Sequence, residues 1–253
     1  MTTTSAPESS VTAASPMSSS SKPCFELTLN NRGRATSRVP VTTGICLPRG
    51  LLNTASRIAV TNATGEPIET QSDTTSTWSD GSIRWVLLHF VANELPTGQS
   101  AWPIVIANAA IPTPDSSVAP IKIGDSQVEV PMDGQQFDLT FPLTVDQSET
   151  QPTLSMAQNH GAVHSVSTMT GTYECGLNLT ARIHRWQSSP HIRVEIALHN
   201  PQAAKHAGGL WDLGDAGSIS FEELAVNIST GRTEQLGWTI EGDELEWLSL
   251  IHI

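Results

Sequence analysis

The stretch from Tyr173 to Asn200 limits the fold of this chain more than any other part of it. Tyr173–Trp186 and His191–Asn200 flank four residues, Gln187-Ser188-Ser189-Pro190, whose chemistry suits a hairpin loop. Such a loop pairs Trp186 with His191, His184 with Arg193 and Arg182 with Glu195. Side chains alternate across a strand. One face therefore carries Leu177, Leu179, Ala181 and Ile183 against Ile192, Val194, Ile196 and Leu198. The other carries Asn178, Thr180, Arg182, His184 and Trp186 against His191, Arg193 and Glu195. A slip of one residue would bury the charges, so the pattern specifies the register.

The first half reads as strands without a helical period between them. Phe25–Leu29 alternates and turns at Asn30-Asn31-Arg32-Gly33, and Arg57–Thr61 alternates before the turn run Asn62–Pro67. Further strands are expected near Ile68–Gln71, Ile83–Val91 and Trp102–Ile106. Only 15% of residues are charged while Thr, Ser, Val and Ile abound, which favours strands. The expected class is all-β, a small barrel followed by an antiparallel β-sandwich. Three prolines between Asn108 and Pro120 mark a linker. The expected units are a Ser/Thr-rich disordered tail at 1–22, a barrel at 23–110 and a sandwich at 111–247. The tail has neither a basic n-region nor an apolar core, so a cytoplasmic location is expected, and no run is long enough for a membrane helix. Thirteen basic against 25 acidic residues give a net charge of −12, which opposes nucleic-acid binding by counterion release. Cys24, Cys46 and Cys175 are odd in number and widely spaced, so reduced, buried thiols are expected.

Two runs carry more specific information. One is Pro40-Val41-Thr42-Thr43-Gly44-Ile45-Cys46-Leu47-Pro48-Arg49-Gly50-Leu51-Leu52, and the other is Thr77-Trp78-Ser79-Asp80-Gly81-Ser82-Ile83-Arg84-Trp85-Val86-Leu87-Leu88-His89-Phe90. Together they resemble the N-terminal RIFT-barrel domain of proteins similar to exo-acting rhamnogalacturonan lyases, a family that includes the YetA-like proteins. The glycine-rich run Gly208-Gly209-Leu210-Trp211-Asp212-Leu213-Gly214-Asp215-Ala216-Gly217-Ser218 resembles the central β-sandwich domain of the same family. The resemblance implies β-elimination on pectin-derived chains in the full-length relative, with a large helical toroid after the sandwich. The last six residues, Leu248-Ser249-Leu250-Ile251-His252-Ile253, match the translation of a transposon mosaic-end adapter. Residues 248–253 are therefore set aside, and the chain is expected to be a truncated fragment that is inactive alone.

A lyase needs a cation or metal at the uronate carboxylate, a base for the carbon-bound proton and an acid for the leaving oxygen. Tyr173 is the single tyrosine, so a tyrosine mechanism would rest on it alone. Cations and an aromatic converge only on the polar hairpin face: Arg182, His184, Trp186, His191 and Arg193. There Trp186 could stack on a sugar ring while the arginines hold its carboxylate. The competing reading is a solvated face with an Arg182–Glu195 ion pair. Trp211 and Asp212 on the glycine-rich run are further candidates for sugar contact. Asp212 and Asp215 could also offer oxygens to Ca²⁺, although no cofactor is otherwise indicated. His160 and His164, four apart, are read as loop or core residues before metal ligands. Arg49 and Arg84 are expected to pair internally, with Asp80 or Glu69 as acceptors, and Trp78, Asp80, Gly81, Arg84 and Trp85 to serve the fold. A stand-alone glycan-binding or structural module remains the alternative to the lyase-like reading.

Overall fold

A computed structural model of the protein describes residues 23–62, 64–107, 118–124, 127–132, 135–203 and 217–230. Every strand pairing in them is antiparallel, and the one helical segment among them is a 3-10 turn at Ala55–Arg57. No helix there is long and apolar enough to cross a membrane. The molecule is all-β, as its composition and alternation predict.

Seven strands build the barrel: β1 (Pro23–Asn31), β2 (Thr36–Cys46), β3 (Ile58–Thr61), β4 (Pro67–Ile68), β5 (Thr70–Thr77), β6 (Ile83–Leu95) and β7 (Gly98–Ile106). They form two sheets, ordered β1-β7-β3-β4 and β2-β6-β5. Along β6 the period-2 rule sends Val86, Leu88, Phe90 and Ala92 into the core, where they meet Ile58, Val60, Trp102 and Ile104. Trp85, Leu87, His89 and Val91 face outward. The strand β2 was not anticipated, because Pro40 interrupts its pattern. It tolerates the proline because it lies at the edge of its sheet, where a missing N–H costs no ladder bond. Cys46 and Cys175 are free thiols, but Cys46 is exposed at the end of β2 and not buried as expected.

The two signature runs are stitched together at one end of the barrel. Asp80 Oδ1 accepts from the Ser82 amide and hydroxyl at 3.0 and 2.6 Å, which fixes the turn and holds the Asp80 carboxyl below its usual range. Gly81 occupies the left-handed position this turn requires, at φ 83°. The buried Ser82 hydroxyl also accepts from the Gly50 amide at 2.9 Å, and Trp78 donates its indole N–H to the Leu47 carbonyl at 3.0 Å. Arg49 does pair with Asp80, at 3.5 Å, but in the open, and it also bonds Ser79. Arg84 finds no carboxylate partner among the described residues; its guanidinium lies 4.7 Å from the Trp78 ring centroid, a cation–π contact at the barrel rim. Replacing Ser82 with alanine takes the acceptor from the Gly50 amide and one of its two Ser82 donors from Asp80. We expect a loss of about 1–3 kcal/mol, read as a lower denaturant midpoint at unchanged slope.

The sandwich contains β8 (Lys122–Ile123), β9 (Val128–Met132), β10 (Gln135–Thr140), β11 (Leu143–Val145), β12 (Ser148–Thr150), β13 (Thr153–His160), β14 (His164–Thr172), β15 (Asn178–Trp186), β16 (Ile192–His199), β17 (Glu223–Leu224) and β18 (Asn227–Thr230). Its sheets run β18-β10-β9-β8, β12-β11-β17 and β13-β14-β15-β16. Between them lies a second apolar core, centred on Val130, Phe137, Leu139, Phe141, Met169, Leu179 and Ile183. The alternation over Ile219–Ile228 yields two short strands and not one continuous one. The chain changes sheets at Ala225-Val226, so that β17 pairs with β11 and β18 with β10.

The hairpin adopts the register read from its alternation, with Arg182 opposite Glu195 and His184 opposite Arg193. Leu179, Ala181 and Ile183 are buried, and Arg182 is exposed. The β15–β16 ladder stops at Arg185–Ile192, one step short of the expected Trp186–His191 pair. Trp186 instead lies opposite His164 on β14, and the Gln187 amide donates to the Val163 carbonyl at 2.8 Å.

Candidate functional site

The outer face of the β13-β14-β15-β16 sheet has two ends of different character. At one end, Thr153, Ser155, Thr170, Thr172, Asn178, Thr180 and His199 line an open trough of about 710 Å³. Strand alternation puts these polar side chains outward while Leu154, Met169 and Leu179 fill the core behind them. At the other end the barrel docks, and this docking decides the fate of the predicted sugar-binding residues.

Five residues were expected to act together on the polar hairpin face; the structure divides them. Arg182, His191 and Arg193 are exposed, whereas Trp186 is 8% accessible and His184 is half-buried. Trp186 packs against the His164 ring at 4.9 Å between centroids, so its face is unavailable as a sugar platform. Glu195 pairs with Arg193 at 3.0 Å and lies 3.6 Å from His184 Nε2. Among the described residues no Arg182–Glu195 ion pair forms, because Arg193 on the same strand takes the carboxylate. Trp211 and Asp212 lie outside the described residues, as do Asp215 and 248–253.

Beneath the barrel, three imidazoles form a continuous column. His89 stacks on His164 with centroids 4.1 Å apart and planes inclined by 18°, and His164 Nε2 lies 3.1 Å from His184 Nδ1. Carboxylates flank both ends. Asp73 Oδ2 is 3.4 Å from His89 Nε2, and Glu195 sits beyond His184. Thr42 holds the other His89 nitrogen at 2.9 Å. Burial pushes His164 down to about 3, helped by repulsion from His89 and His184 and opposed by Asp73. Burial likewise lowers His184 against the pull of Glu195, with Arg193 adding to the lowering. The hydrogen bond with His89 holds Asp73 below its ordinary value, and burial opposes that shift. His164 is thus neutral at physiological pH and sealed from any substrate.

Around the column the two units are pinned by side chain to backbone bonds. Gln71 Oε1 accepts from the Val163 and His164 amides at 3.2 and 2.9 Å. The Ser189 hydroxyl donates to the Arg38 carbonyl at 2.8 Å, and the Arg38 guanidinium donates to the Ser188 carbonyl. A Cβ at Gly161 would overlap the Gln71 amide, so a side chain there would displace Gln71 from its bonds to the 163 and 164 amides. Beside the joint, Gln71, Ser72, Asp73, Asn159 and His160 line a smaller pocket of about 240 Å³. His160 and His164 do not converge on a common ion: they lie on either side of the tight turn closed by Gly161 N to His164 O at 3.0 Å. Among the described residues no three ligating groups are arranged for a metal.

Tyr173 is also removed from acid–base chemistry. It is 2% accessible, it donates to the Phe141 carbonyl at 2.8 Å, and burial pushes its phenol up to about 12. The trough lining holds no acid–base pair, and hydroxyl and amide groups are what it offers to a ligand. Among curated proteins, none matches the chain. Residues 27–101, which hold most of the barrel and both signature runs, match the family model of the PcRGLX-like N-terminal RIFT barrel domain, and the barrel is thereby similar to that of rhamnogalacturonan lyase-like proteins.

Proposed function

We propose that this protein is the barrel-and-sandwich portion of a carbohydrate-active protein similar to exo-acting rhamnogalacturonan lyases. The match of residues 27–101 to the PcRGLX-like RIFT barrel carries this reading. Its own contribution is to hold a pectin-derived glycan, while β-elimination belongs to a full-length relative with its helical toroid. The chemistry of the trough agrees, since His199 is the one titratable group in its lining and Tyr173 and His164 are buried elsewhere. Sugar hydroxyls would be met by the Ser, Thr and Asn groups of the trough, which exchange hydrogen bonds with a polyol at little desolvation cost.

The glycan-binding reading is tested by calorimetric titration of a rhamnogalacturonan oligosaccharide. Binding is expected for the folded protein, with roughly tenfold weakening per lost bond of about 1.4 kcal/mol in Asn178→Ala and Thr170→Val. Folded protein that gives no heat rejects it. Product release, followed by ultraviolet absorbance of the unsaturated sugar, is expected to be nil. A stand-alone glycan-binding module is the second reading, favoured by a trough that holds one titratable group, His199, and no acid–base pair. Reading the locus separates the two: a frame continuing into a large helical domain supports the lyase-like protein, and a stop soon after residue 247 supports the module.

A further inference from the structure

The column of His89, His164 and His184 crosses the boundary between barrel and sandwich. We propose that it is a pH-governed latch: with His164 neutral it holds the two units together, and a proton on His164 releases the sandwich from the barrel wall. His89 comes from β6, whereas His164 and His184 come from β14 and β15, so parting the units breaks the 4.1 Å stack while leaving each sheet intact. The 3.1 Å bond between His164 and His184 lies within the sandwich and survives parting, losing its acceptor only when both rings are protonated. Of the column's contacts, the stack on His89 is the one that spans the joint.

The surrounding charges do not neutralise an imidazolium at His164. From the barrel, Asp73 on β5 reaches His89 and not His164, and Thr42 on β2 contributes a neutral hydroxyl. From the sandwich, Glu195 on β16 is shared between Arg193 and His184. The 161–163 turn carries no charge, His160 opens onto the side pocket, and Arg38 packs at the rim against Ser188 and Ser189. Trp186 closes the remaining side. A proton on His164 therefore faces two imidazoles and an indole, with no carboxylate in hydrogen-bonding contact and Asp73 opposing their repulsion only from beyond His89.

The sign follows from the displaced titration. In the docked form His164 sits at about 3, and once released it regains the ordinary value of about 6.5. Between those values the released form binds a proton that the docked form rejects. The docked population thus loses about tenfold for each pH unit below about 6.5, with the full grip present above it. Release would split the polar pocket that Asp73 of the barrel and His160 of the sandwich line together.

Hydrogen exchange of the intact chain tests the latch. The Val163 and His164 amides donate across the joint to Gln71, so their protection, corrected for intrinsic rates, reports docking. Between about pH 6.5 and about pH 5, protection there is expected to fall about tenfold per unit, while core amides of Leu88 and Ile183 stay protected. His164→Phe keeps a stacking ring without a titrating nitrogen and is expected to abolish the pH slope. Constant protection at 163 and 164 across this range, or the same slope in the variant, overturns the proposal. Should the variant misfold, imidazole resonances of the wild-type protein decide: a His164 midpoint that coincides with loss of protection supports the latch. A His164 that titrates near 6.5 with protection retained refutes it.

Discussion

Replacing Arg185 with methionine is expected to stabilise the protein by about 3 kcal/mol. Arg185 continues the buried face of β15, after Leu179, Ala181 and Ile183, and is 2% accessible. Its Nη1 donates to the Pro131 carbonyl at 3.1 Å, but among the described residues Nε and Nη2 have no partner. Ser165, directly opposite on β14, and Ser167 two residues further carry buried hydroxyls that are also unpartnered. A guanidinium in this setting pays for its desolvation with a single neutral bond. Burial accordingly pulls its pKa from 12.5 down to about 10. Because that value lies below the unfolded one, the charge opposes folding at neutral pH, and the penalty fades only as pH rises through about 10. Methionine fills a similar volume without charge. Denaturant unfolding at neutral pH measures the gain; a lower midpoint for the variant would mean that the cation holds an unseen counter-charge.

The largest loss is expected from Gly171→Val. Gly171 lies on the inner side of β14, where even an ideal Cβ would come within 2.9 Å of both the Thr153 carbonyl oxygen and Pro152 Cβ, and 3.1 Å of Leu154. The two nearest obstacles are a backbone carbonyl and a proline ring, neither of which can swing away as a long side chain can. Valine would have to force β13 from β14 at the edge of the core, costing roughly 3 kcal/mol or more, since overpacking of a dense interior typically costs 1–3. Gly171→Ala should fall between valine and wild type. Soluble Gly171→Val protein with an unchanged melting temperature would show that the two strands separate here without penalty. The outer trough would be distorted by the same shift, because Thr170 and Thr172 flank the site.

Much of the local fold was legible in the sequence. The hairpin register followed from alternation alone, because a residue's face in a strand is set by its parity and its neighbours. The Ser-Asp-Gly-Ser turn was equally readable, since Asp80 bonds its own backbone two residues on and Gly81 accepts a positive φ. Arg185 was readable in principle: it shares parity with Ile183, which puts an arginine on the buried face of the strand. The strand β2 was hidden by Pro40, whose effect depends on whether the strand is an edge.

The candidate site was legible only in part. Composition and pattern picked out His184, Trp186, Arg182, His191 and Arg193 as one polar face, and alternation does place Arg182, His184 and Trp186 on the same side of β15. Which of them meet water was settled elsewhere. His89 lies on the outer wall of the barrel, and no local pattern links it to His164 or His184. Parity and turn chemistry act between residues a few bonds apart, so the order of amino acids determines them. Docking of barrel on sandwich depends on the fit of two assembled surfaces, and that fit alone turned Trp186 from a platform into packing and three scattered histidines into a column.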